Sequence, residues 1–213
     1  MPALQIVLLL SSLAVALLAG SGNCSRDRVL FAGSGNCDGA DYTCVNSPPE
    51  LRSYILKANP LTLESAGNFS VGGLPSWTKT SPGFSDGYGG HCLFVTVTDS
   101  HYVLSYKVKE GHKMDLVSNI TLAPGINPVH IDTQVGVLAV ANYHDPDTTT
   151  EDNGESGVST LTVDPDCVLT FAEYTPHHGR SVNPGRQGAS HVHSVWTQKP
   201  RLSIRPNGYV YVA

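Results

Sequence analysis

The chain has 213 residues, of which 40% are hydrophobic and 15% charged, with a formal net charge of −5. That is enough apolar material for one globular core, and the absence of any lysine or arginine cluster argues against nucleic acid and anionic membrane surfaces as partners. Glycine (21) and proline (14) are plentiful, and runs of Ala, Glu, Lys and Leu are missing beyond the N-terminal segment; this composition predicts an all-β chain with many turns.

The first element is the exception. Leu4 to Leu18 is uncharged and almost wholly apolar, and the small residues Ala19, Gly20 and Ser21 follow it. The run is shorter than the roughly 20 residues a membrane span needs. It predicts a secretory signal peptide over residues 1–21 and a secreted mature chain, 22–213, that makes no membrane contact after cleavage. Three glycosylation sequons agree with secretion: Asn23-Cys24-Ser25, Asn68-Phe69-Ser70 and Asn119-Ile120-Thr121. Five cysteines lie beyond the leader (Cys24, Cys37, Cys44, Cys92 and Cys167), and in an oxidising compartment most of them should pair. Cys37 and Cys44 flank a Gly/Asp-rich loop and are the preferred bridge, with Cys24 as competitor.

Strand-turn-strand patterns then recur along the chain. Ser53-Tyr54-Ile55-Leu56, a turn, and Leu61-Thr62-Leu63-Glu64-Ser65 is matched by Ser105-Tyr106-Lys107-Val108, a turn, and Met114-Asp115-Leu116-Val117-Ser118. A third copy joins Thr160-Leu161-Thr162-Val163 to Val168-Leu169-Thr170-Phe171-Ala172 through Asp164-Pro165-Asp166. Each copy alternates with period two around a turn, so each is a hairpin. A second element lies between them: Pro128 to Asp132 followed by Gly136 to Asn142, matched by His191 to Val195 followed by Gly208 to Ala213, with a weaker copy from Pro75-Ser76-Trp77 to His91–Val95. In this alignment His130 stands where His193 stands one repeat later. Together they make four strands per repeat of roughly fifty residues, the pattern of a β-propeller blade. The blades fall at about 27–66 (partial), about 75–120, about 128–173, and half of another. Three to four blades are fewer than a ring requires, so the sequence reads as the N-terminal part of a longer propeller, inactive alone.

Ala141-Asn142-Tyr143 at one strand end, followed downstream by Arg186-Gln187 and His191-Val192-His193-Ser194, resembles the seven-bladed propeller lactonase family of the 6-phosphogluconolactonase and carboxymuconate-lactonizing type. The resemblance covers essentially the whole mature chain as the N-terminal half of such a ring. Ser190 stands where the family usually has proline, and the acidic insertion from Asp145 to Ser156 is long. It implies a hydrolase that opens a small-molecule lactone without a cofactor. Because the phosphogluconolactone substrate is cytosolic, a secreted relative is expected either to act on an unphosphorylated aldonolactone or another sugar-derived or carboxylated lactone, or to have lost activity.

The residues support that chemistry on their own terms. Lactone hydrolysis needs a base to activate water and a cation or donor for the developing oxyanion. Imidazoles in general titrate close to neutrality, which makes His191 and His193 the candidate bases. Two such residues at i and i+2 on an extended chain share a face. Arg186 offers a permanently charged fork for an oxyanion, phosphate or carboxylate. Gln187 and Asn142 can donate to ligand hydroxyls or a carbonyl, and His130 is a further candidate facing the channel. Two alternatives stand beside this one. A secreted propeller can be a non-catalytic binding module. A cupin-like metal enzyme would explain Gly185 followed by His191-Val192-His193, but Gln198 stands where a carboxylate ligand belongs.

Overall fold

The computed structural model describes residues 16–18, 28–34, 49–58, 60–81, 91–109, 113–122, 126–134, 136–144, 156–178, 190–198 and 210–213. Every regular element among them is a strand. The first sheet joins β1 (Ala16–Leu18), β2 (Arg28–Ser34), β3 (Glu50–Ala58) and β4 (Leu61–Ser70). The second joins β5 (Pro75–Thr80), β6 (His91–Val97), β7 (Tyr102–Val108) and β8 (Met114–Thr121). The third joins β9 (Ile126–Gln134), β10 (Val137–His144), β11 (Gly157–Val163) and β12 (Leu169–Pro176), and a two-stranded sheet pairs β13 (Val195–Thr197) with β14 (Val210–Val212). Strands follow one another across each sheet in chain order and pair antiparallel. β5 packs against β9, β9 against β13, and β1 and β2 against β5, so the first strands of successive sheets sit side by side. These are propeller blades; the serial meander leaves no place for the jelly roll of a cupin.

Sequence pattern explains which strands are inside. The middle strands β6 and β7, His-Cys-Leu-Phe-Val-Thr-Val and Tyr-Val-Leu-Ser-Tyr-Lys-Val, are apolar on both faces and mostly buried. The last strands of the blades, β4, β8 and β12, are mostly exposed and carry polar residues. Leu93, Val95 and Val97 of β6 join Phe31, Leu51, Leu104 and Tyr106 between blades one and two. The alternate residues Cys92 and Phe94 join Val103, Ile131, Leu138, Val140 and Leu161 between blades two and three. Fully burying one such side chain is worth about 1.5–3 kcal/mol, so each interface is a core in its own right.

Each complete blade carries the same irregularity. The pairing of its third and fourth strands shifts between Ser53 and Tyr54, between Ser105 and Tyr106, and between Thr160 and Leu161. These residues marked the repeat in the sequence, and a bulge at a fixed place is what keeps the blades in phase. At the β9–β10 turn Gly136 has φ of 77°, a conformation that favours glycine.

Two expectations change. The first blade has four strands, because Ala16–Leu18, inside the segment read as a leader, pairs with β2 as the innermost strand; a short apolar run fits either role. The His191–Ser194 segment was expected within an inner strand, yet β13 begins only at Val195. The second register also corrects an equivalence. Ala213 receives hydrogen bonds from the N–H groups of both His193 and Ser194 (2.9 and 3.0 Å), and its own N–H donates to Ser194. Val195 pairs with Val212 as Ile131 pairs with Val140. His130 therefore matches Ser194, one residue from the position read from sequence, and a one-residue slip exchanges the faces of a strand.

A disulfide joins Cys92 of β6 to Cys167 in the β11–β12 turn, 75 residues apart with Cα atoms 5.5 Å apart. Around it Ser105 Oγ donates to the Cys167 carbonyl at 2.6 Å, Lys107 pairs with Asp166 at 2.6 Å, and the Leu169 N–H donates to Ser118 Oγ at 3.0 Å. Cys167 has φ of 70°, which costs a non-glycine residue about 1–2 kcal/mol and is tolerated where surrounding contacts fix it. The preferred bridge from sequence, Cys37 to Cys44, lies outside the described residues. Replacing both Cys92 and Cys167 by serine should lower unfolding free energy by about 2–4 kcal/mol. In denaturant titrations the double variant should unfold at lower denaturant than the parent under oxidising conditions, and a reductant should narrow the gap between the two.

Candidate functional site

Blades three and four meet through small residues. Ala139 and Ala141 of β10 pack with Val158, Val192 and Val195 in a compact buried cluster. Val192 is the buried anchor of the approach to β13, and His191 and His193 flank it. Tyr143 continues the face of Ala139 and Ala141, and both imidazoles meet its ring: His191 at 4.4 Å and His193 at 4.8 Å between centroids. His191 is half-buried and His193 exposed. The expectation that the two histidines serve one place agrees with this geometry, and the tyrosine that gathers them was visible in sequence only as part of the Ala141-Asn142-Tyr143 string.

Asn142 lies on the opposite face of β10, with Val140. It is fully buried, and its Nδ2 donates to the Val140 carbonyl at 3.2 Å, the Gly157 carbonyl at 3.3 Å and Ser159 Oγ at 3.0 Å. The donor expected for a ligand is thus engaged inside the sheet. Its Oδ1 is buried without a hydrogen-bond partner among the described residues, and so is Ser156 Oγ next to Gly157. Two such oxygens at one end of a sheet call for an explanation, since buried polar atoms are nearly always paired. Gly157 is needed here: a Cβ would stand 2.4 Å from the Thr175 carbonyl oxygen.

His130 sits elsewhere. It is buried, its ring 4.3 Å from that of Trp77 and 5.9 Å from that of Trp196, and its Nδ1 accepts a long 3.4 Å hydrogen bond from the Val195 N–H. Only a ring unprotonated at Nδ1 can accept there. Burial pushes its pKa down, aided by Lys79 and opposed by Asp132. Asp132 was not singled out in the sequence. Its Oδ2 accepts from the Thr197 N–H at 2.7 Å and Thr197 Oγ1 at 2.8 Å, and its Oδ1 pairs with Lys79 Nζ at 2.8 Å. One carboxylate therefore ties the first strands of blades two, three and four. Burial raises its pKa, but the hydrogen bonds from Lys79 and Thr197 outweigh that and hold it below the usual value. Arg186, Gln187, Cys24 and Asn23 lie outside the described residues. Among the described residues no three His, Cys, Asp or Glu side chains gather as a metal site would require.

The class defined by these features is a β-propeller of four-stranded blades with a polar cluster where two blades meet. The family model described as "Lactonase, 7-bladed beta-propeller" matches residues 43–202. The chain belongs to that family. Among solved structures it is similar to a protein from Lactobacillus plantarum, with a TM-score of 0.58 and 16% identity over 88% of this chain and 46% of that one. It thus spans about half the length of that structure, and the likeness is one of fold. A more distant likeness, with a TM-score of 0.45 and 10% identity, is to an α-L-arabinofuranosidase from Clostridium thermocellum, over 92% of this chain and 59% of that one. No curated protein matches the chain.

The His130–Asp132 arrangement predicts acid sensitivity in two stages. Both groups have folded pKa values below their unfolded ones. The stability each contributes is complete above the unfolded value, about 6.5 for histidine and about 3.9 for aspartate, and is lost as pH falls through the folded value. Thermal midpoints recorded from pH 8 to pH 3 should fall first below about 6.5 and again below about 3.9. His130→Gln should abolish the first step. Asp132→Asn should flatten the second and cost about 1–3 kcal/mol at neutral pH.

Proposed function

We propose that the chain carries part of the active site of a hydrolase that opens a sugar-derived or carboxylated lactone. The observation that carries this reading is the meeting of His191 and His193 on the Tyr143 ring in a lactonase-family propeller. His193, the exposed member, takes a proton from water as the water oxygen bonds to the lactone carbonyl carbon. Half-buried His191, held against the same tyrosine, orients the site. Arg186 and Gln187, a few residues upstream, hold the oxyanion or a substrate carboxylate. The tetrahedral intermediate collapses with cleavage of the ring C–O bond, and the imidazolium returns its proton to the departing alkoxide, giving a hydroxy acid. Asn142 contributes through Oδ1, its donor being spent on Val140, Gly157 and Ser159.

The protein acts outside the cytosol in this reading. The Cys92–Cys167 bridge supports it, because buried structural disulfides form and persist in oxidising compartments. An unphosphorylated aldonolactone is then the favoured substrate class. Since the chain spans about half of the solved propeller it matches, the activity is assigned to the full-length ring.

Purified full-length protein should release acid from a six-membered aldonolactone, in a pH-stat at mildly acidic pH, faster than buffer alone and with saturation. His193→Gln should lower kcat/KM by about 10²–10⁴-fold with an unchanged thermal midpoint. Tyr143→Ala should lower it less, and Tyr143→Phe, which keeps the ring, should leave it near the parent value. A parent protein with no rate above buffer on aldonolactones or carboxylated lactones sinks the proposal.

A further inference from the structure

The outer strands of the first two blades carry something the lactonase reading does not use. Asn68-Phe69-Ser70 closes β4 and Asn119-Ile120-Thr121 closes β8. The repeated bulge fixes their registers. Gly67 pairs with Ser53 and Ser118 with Ser105, in each case just before the shift, so Asn68 and Asn119 are the next residue on equivalent strands. The two sequons therefore occupy the same three positions of consecutive blades.

Their alternation is the same too. Phe69 packs against the core between blades one and two, and Ile120 against the core between blades two and three. Asn68, Ser70, Asn119 and Thr121 are exposed. In each sequon the middle residue anchors the strand and the asparagine shares the outward face with its hydroxyl partner. Asn119 pairs with Leu104, whose side chain lies in the core shared with blade one, so Asn119 stays exposed with a neighbouring blade on its side. The equivalent Asn68 needs no missing neighbour to be reachable.

We propose that Asn68 and Asn119 are N-glycosylated and that the two glycans shield the outer edges of blades one and two. The inference rests on the secretory part of the functional reading. The amide Nδ2 bonds to the anomeric carbon of an oligosaccharide carried on a lipid pyrophosphate; the carbon–oxygen bond to the pyrophosphate breaks, the amide loses a proton, and the lipid pyrophosphate departs with the bonding pair. The edges need protection: Leu61 and Leu63 of β4 are 76% and 54% exposed and Leu116 of β8 is 57% exposed. Edge strands that expose leucines and unpaired backbone groups are templates for edge-to-edge association, and a bulky polar glycan on the same strand blocks the approach.

The full-length chain, expressed with its own N-terminus in a secretory eukaryotic host, tests this. Treatment with a peptide N-glycosidase should convert Asn68 and Asn119 to aspartate and remove one glycan from each of the two peptides that carry them. Asn68→Gln and Ser70→Ala should each remove one glycan, and Asn119→Gln and Thr121→Ala the other. Ser70→Ala and Thr121→Ala keep the asparagines, so loss of the glycan there reports the sequon and not a folding fault. Thiol trapping in the same samples separates the outcomes. A formed Cys92–Cys167 bridge with bare asparagines overturns the glycan inference alone; free thiols with bare asparagines overturn it together with the secretory reading. Sedimentation of the secreted Asn68→Gln/Asn119→Gln protein should show more self-association than the parent, and equal monodispersity overturns the shielding role.

Discussion

Every blade here is a sheet with two apolar faces, and a single sheet cannot bury both. β6 makes the constraint concrete: Leu93, Val95 and Val97 belong to one core while Cys92 and Phe94 belong to the next. Stacking is therefore obligatory, and stability becomes a sum over neighbouring pairs of blades, as in other repeat architectures. Trp196 and Tyr211 of the two-stranded fourth sheet are 57% and 55% exposed. The inter-blade disulfide, the Lys107–Asp166 pair and the Asp132 carboxylate all act on those same contacts, fixing the angle at which one sheet lies on the next.

Stacking identical units demands that each present the same residues in the same phase. The shift at Ser53/Tyr54, Ser105/Tyr106 and Thr160/Leu161 provides this, because one extra residue per outer strand resets which side chains face inward beyond it. The equivalence of the two sequons follows from the bulge, as does the inward turn of Phe69 and Ile120. A second irregularity acts on the inner strands. The shift between Ala141 and Asn142, and the paired donation of His193 and Ser194 to Ala213, let the chain enter a blade from outside the ladder.

What could be read from the residues was whatever is local. Period-two hairpins and their roughly fifty-residue spacing give the blades directly, since alternation and turns are properties of a few neighbours. The His191/His193 pair was legible for the same reason, as i and i+2 on extended chain share a face. Properties that depend on stacking were not legible. The partner of Cys92 lies 75 residues away, on a turn that reaches it only when the third blade closes on the second. Tyr143 meets the two histidines only because Ala139 and Ala141 admit the next blade closely. The alignment of His130 with His193 failed by one residue because an unpaired bulge leaves no mark in composition. Leu4 to Leu18 reads two ways, because a signal peptide and an innermost strand ask for the same apolar side chains, and three of its residues, Ala16–Leu18, pair with β2.

The candidate site is thus a property of an interface more than of any strand. His191 and His193 are carried by a segment whose hold on the molecule is Val192 in the cluster between blades and the hydrogen bonds to Ala213. Two residues beyond His193, the Val195 N–H donates to His130 Nδ1, and four beyond, Thr197 donates to Asp132. The strand that delivers the histidines is therefore aligned by a neutral imidazole and an ionised carboxylate of the preceding blade. Protonating His130 turns its acceptor into a donor facing another donor, which opposes the contact that aligns this strand. Stability and site geometry share one contact because both depend on how blade four lies on blade three.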